Sequence, residues 1–125
     1  MDIAGSLAHQ AGVSAALIAA TSFVHALFVS TAAVILRAEA RPVAGPFRFV
    51  RDAAALTFLS LWLIFAHAME IGVWAETYRR LGLFDSTEQA FYFAAVCFTT
   101  LGFGDVLLPE GWGPLAGANA ANGFL

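Results

Sequence analysis

Seven consecutive residues, Thr99-Thr100-Leu101-Gly102-Phe103-Gly104-Asp105, carry the strongest chemical signal in the chain. Their side chains offer little reactivity, so the chemistry on offer is that of the backbone. Along an ordinary extended strand, successive carbonyl groups point in alternating directions. Gly102 and Gly104 can take positive φ without steric cost, which cancels that alternation and aims successive carbonyl oxygens at one line. Such a row of oxygens can replace the water shell of a small cation. Leu101 and Phe103 then point away from that line and pack behind it, while Thr100 adds a hydroxyl at the inner end.

Other reactive side chains are few. His67 and Glu70 stand three residues apart, hence on one helix face. Ionisable residues inside a membrane suggest a function such as proton sensing. Glu70, however, is expected within about one turn of the outer interface, where its carboxylate reaches water or pairs with Arg79 or Arg80. His25 is expected as a neutral imidazole hydrogen-bonded to a neighbouring helix, and His9 lies near the surface. Two isolated histidines without a companion carboxylate or cysteine cluster make a poor site, so a membrane haem or redox protein using His25 and His67 is the weaker alternative. Cys97 is the only cysteine, which rules out an intrachain disulfide and leaves a small apolar packing residue.

The elements that must position these residues follow from hydropathy. The chain of 125 residues is 60% hydrophobic and 12% charged, with mean hydropathy +0.77, against about 25% charged for soluble domains. An all-α membrane protein is expected. A net charge of −3 and the absence of lysine exclude a nucleic-acid partner. The N-terminus, with Asp2 and no basic residue before a long apolar run, does not read as a secretory signal.

Residues 1–36 hold a first span, uncharged from Ala11 to Leu36, with small residues suited to close helix packing. Residues 37–52 form a linker with Pro42, Gly45 and Pro46 and four arginines, and a second span covers 53–75, with Trp74 and Tyr78 as interface anchors. The arginine distribution makes the linker cytoplasmic and the N-terminus external. Asp85/Glu88 and Ser86/Gln89 both have helix-capping spacing, opening a short helix over 87–98. That helix is too short to cross the membrane, and the Gly-rich segment after it is tolerable at membrane depth only if buried in protein or lining a wet cavity. Its C-terminal dipole end favours a cation. Gly113-Pro114 opens a last helix over 114–125. Its stretch of roughly 18 Å falls short of a span and is expected to need a continuation beyond Leu125 before the chain can conduct.

From Ala53 onward, the order of outer helix, short helix, T-T-x-G-aromatic-G-D and inner helix resembles the pore module of two-helix potassium channels of the prokaryotic ion-channel type. The resemblance implies a homotetramer in the cell (inner) membrane, surrounded by lipid and conducting K+ passively. The resemblance places Thr100, Leu101, Gly102, Phe103 and Gly104 on the filter, with Thr99 just before it and Asp105 capping its outer end, and implies K+ ligands at Thr100, Leu101, Gly102 and Phe103. Neither enzymatic activity nor any cofactor besides the permeant K+ is implied. Many such channels brace the filter with adjacent pore-helix tryptophans, where this chain has Tyr92 and Phe93. Phe93 donates nothing and Phe103 lacks a phenolic hydroxyl, so two bracing hydrogen bonds of about 0.5–1.5 kcal/mol each are missing. A weakly selective cation channel is therefore the alternative within transport, and a non-conducting assembly subunit a further one. Six acids against two arginines between Glu70 and Glu110 would give the outer mouth a cation-attracting field. The first span is extra to the minimal module and has no evident role.

Overall fold

A computed structural model describes residues 3–38, 45 and 47–124. It holds four helices and, among the described residues, no strand: α1 (Ile3–Ala38), α2 (Phe47–Arg80), α3 (Thr87–Phe98) and α4 (Gly113–Phe124). The protein is an all-α membrane protein, and α1 and α2 are each long and apolar enough to cross a bilayer. Pro42, Pro46 and Arg41 of the expected linker lie outside the described residues, as does Leu125. Helix α2 begins at Phe47, inside that linker. Residues 47–52 contain neither Gly nor Pro, and Asp52 pairs with Arg48 one turn away (3.7 Å) and with Arg51 (2.8 Å), which suits a helical start.

Helix α2 presents a stripe at four-residue spacing, Ala66, Glu70, Trp74 and Tyr78, all buried. Helix α3 lies against this stripe through Ala90, Phe93 and Ala94. Tyr78, Phe84 and Phe93 form a cluster of edge-on and tilted rings with centroids 5.2–6.2 Å apart, a favoured aromatic geometry. Trp74 and Tyr78 are thus core residues with no exposed surface rather than interface anchors. Sharing the Glu70 face of α2, they turn toward α3 instead of toward lipid. The other sides of α2 at this level, including Leu61, Ile64 and Phe65, stay exposed, as does Leu56 nearer its start, as suits a surface in contact with acyl chains.

Helix α1 packs on both α2 and α4. Its inward face runs through Gln10, Leu17, Thr21, His25 and Phe28. At one end the Gln10 amide donates to the Gly111 carbonyl (2.9 Å). Midway, the Thr21 hydroxyl donates to Leu17 O within the helix and lies 3.0 Å from Asn122 Oδ1. Further along, the Trp62 indole N–H donates to the Phe28 carbonyl (2.9 Å). In an apolar solvent polar side chains turn inward to find partners. The extra span therefore clasps the loop before α4 at Gly111, α4 itself and the N-terminal half of α2.

Candidate functional site

Helix α3 is set by its two ends. The Ser86 hydroxyl accepts from the Gln89 N–H (3.1 Å), making Ser86 the N-cap and deciding between the two capping pairs. At the other end the Thr100 N–H donates to Cys97 O (2.9 Å) and the Leu101 N–H to Val96 O (3.0 Å). With Thr99 as C-cap, these are the two bonds of a Schellman stop, which needs a left-handed residue just past the cap. That residue is Thr100, at φ 58°. A branched side chain in this region costs about 1–2 kcal/mol, so the helix ends in a strained turn.

The left-handed turn is the first of three. Gly102 has φ 57° and Gly104 φ 75°, while Leu101 and Phe103 between them stay negative. Five successive residues thus alternate in handedness, the condition that carbonyls facing one line require. Gly102 N–H also reaches back to Val96 O (3.3 Å), tying the segment to the helix end. Within the single chain residues 100–105 are exposed, including the large apolar Leu101 and Phe103.

Of the expected supports, Tyr92 and Thr99 make bonds near the segment and Phe93 does not. The Tyr92 hydroxyl donates to Asp105 Oδ2 at 2.6 Å, joining the outer end of the segment to the short helix. This hydrogen bond is the main cause of a phenol pKa raised above its ordinary value, so Tyr92 remains a donor. The Thr99 hydroxyl donates back to Ala95 O (2.7 Å) and reinforces the helix end. Phe93 is buried against Tyr78 and Phe84. Adjacent helix positions lie about 100° apart, which lets Tyr92 face the segment while Phe93 faces the core.

Helix α4 wedges beside α3. Asn119 is fully buried, and its amide donates to the Tyr78 hydroxyl (3.1 Å) and to Ala94 O (3.3 Å), pinning α4 to α2 and α3 together. A Cβ at Gly123 would overlap the Phe98 backbone carbonyl. Glycine is what lets α4 touch the last turn of α3.

Two expectations about charge are corrected. Glu70 neither reaches water nor pairs with Arg79 or Arg80; those arginines bond Glu76 (3.4 and 2.7 Å). Glu70 is buried, with Oε1 3.0 Å from His25 Nδ1 and Oε2 3.0 Å from His67 Nδ1. The two histidines are therefore not isolated, because α1 brings His25 to the pair already on α2. The helical register of His67 and Glu70 was one signal; the rule that intramembrane ionisable groups find each other supplied the second. Asp85, Glu88, Asp105 and Glu110 have no arginine within four residues in sequence.

A short helix stopped by a left-handed residue, a glycine-alternated segment behind it and two long apolar helices define a membrane pore module. A family model described as "Ion channel" matches residues 55–117, half of the chain, and the chain belongs to this ion channel family. No curated protein and no solved structure matches it.

Proposed function

We propose that the protein is a K+-selective channel in which four copies surround one axis. Carbonyl oxygens of Thr100, Leu101, Gly102, Phe103 and Gly104 replace the hydration shell of K+ in passive transport. The observation that supports this most is the left-handed backbone at every second residue from Thr100 to Gly104. The exposed Leu101 and Phe103 call for neighbouring copies to cover them, and the outer acids raise local cation concentration. Reversal potentials under opposed K+ and Na+ gradients, with the full-length protein in planar bilayers, test the reading. A shift toward the K+ equilibrium potential is expected; equal permeability would overturn it.

A weakly selective cation pore is the second reading. It is favoured by Phe93 facing the core, which leaves the Tyr92–Asp105 bond as the brace from the short helix. The same potassium and sodium measurement separates the two.

The proposed site of action is the cell (inner) membrane, with the 37–52 segment cytoplasmic and the N-terminus outside, as the arginine distribution suggests. In intact cells, Arg48→Cys in a Cys97→Ser background should resist membrane-impermeant thiol reagents. Ready labelling would invert the topology.

A further inference from the structure

Beside the last turn of the short helix, three titratable side chains from two helices converge. Each of His25, His67 and Glu70 offers one ligating atom, and the three atoms lie within 4.8 Å of one another. The two imidazole rings sit 5.3 Å apart at 30°. Both oxygens of the buried Glu70 carboxylate are occupied, one by each Nδ1 at 3.0 Å. The carboxylate is 3% exposed while the imidazoles are 41% and 43% exposed. The acid is therefore fixed, and the rings border open space. That space is a pocket of about 430 Å³ whose other lining includes Thr21, Ser22, Ser30 and Asn122. It is roomy enough for a water or hydroxyl as a further ligand.

The geometry points to a binding site for one divalent transition-metal ion of the Zn2+ class per chain, ligated by His25, His67 and Glu70. Two imidazoles and one carboxylate with an open fourth position form a donor set that Zn2+ accepts. Nitrogen donors favour Zn2+, Co2+ or Ni2+ over Mg2+ and Ca2+, which prefer all-oxygen sites. Bonds of about 2.0–2.2 Å in a tetrahedron hold donors roughly 3.3 Å apart. Atoms already within 4.8 Å reach that spacing by side-chain rotation, while the helices stay in place. Among the described residues, no lysine or arginine lines the pocket to compete for the carboxylate.

The position gives the ion a consequence. The His67 ring lies tilted against Phe98 (5.7 Å), the last residue of α3, and Phe98, Asn122 and Gly123 line the same pocket. An ion here ties α1 to α2 beside the point where α3 gives way to the left-handed Thr100. Metal occupancy would stiffen the contact between the extra span and the pore module.

The test uses untagged full-length protein in detergent, dialysed against Zn2+ and assayed for bound metal, with Co2+ replacing Zn2+ for visible absorption. One Zn2+ per chain is expected, with at least a tenfold weaker affinity in His25→Ala and in His67→Ala and no change in His9→Ala. Co2+ should give the intense absorption of a tetrahedral site, lost in both core variants. Glu70→Gln keeps the volume of Glu70 if Glu70→Ala fails to fold, and it too should lose the Co2+ band. Stoichiometry unchanged in His25→Ala and His67→Ala, or a cluster that exchanges only protons and takes up no metal, would overturn the proposal. Binding is read without ion flux, so its failure is distinct from failure of the channel reading.

Discussion

Helices α2 and α3 stop with the same backbone pattern built from opposite residues. After α2, the Gly82 N–H donates to Arg79 O and the Leu83 N–H to Tyr78 O, both at 3.0 Å, with Gly82 at φ 69°. After α3 the corresponding donors are Thr100 and Leu101, and the left-handed residue is threonine. Glycine adopts that turn without a Cβ penalty, whereas threonine carries about 1–2 kcal/mol of strain. Where the only task is to end a helix, the chain uses glycine. Where the turn also starts the alternating segment, it accepts strain and keeps a hydroxyl at the inner end.

This contrast can be broken most severely at the glycines that follow the second stop. Gly102→Ala should abolish conduction while leaving assembly largely intact, since four alanines must adopt φ near 57° together. Loss of single-channel current, with unchanged elution on size exclusion, is the expected pair of results. Gly123→Ala should come next. Its methyl would collide with the Phe98 carbonyl, push α4 off the end of α3 and lower both thermal stability and current.

Smaller effects sharpen the comparison. Thr100→Gly should relieve strain and raise unfolding stability by about 1 kcal/mol, yet reduce K+/Na+ discrimination because the hydroxyl is gone. Denaturation and reversal-potential measurements on one preparation would separate the two outcomes. Gly82→Ala should cost about 1 kcal/mol of stability and leave ion discrimination untouched, because that stop lies outside the alternating segment.

What could be read in the sequence was local. Ser86 to Phe98 announces itself through a capping residue, a short apolar run and the glycines beyond, and the helix occupies 87–98. The positive φ of Gly102 and Gly104 follows from their alternation. Contacts between distant residues were hidden. α1 is apolar on all sides, so hydropathy does not tell which face packs, and the His25–Glu70 bond joins residues 45 apart in sequence. Trp74 and Tyr78 look like interface anchors until α3 covers their face. The left-handed Thr100 was also illegible, because threonine rarely takes that conformation and nothing in its residue type announces it.

The most direct test compares the first stop with the segment after the second in one ion-flux experiment, with K+ and Na+ reversal potentials recorded for the full-length wild type, Gly82→Ala and Gly102→Ala. The account predicts K+-selective currents in the wild type and in Gly82→Ala, and none in Gly102→Ala. Undiminished selective current through Gly102→Ala would contradict the claim that the alternating backbone after α3 conducts the ion.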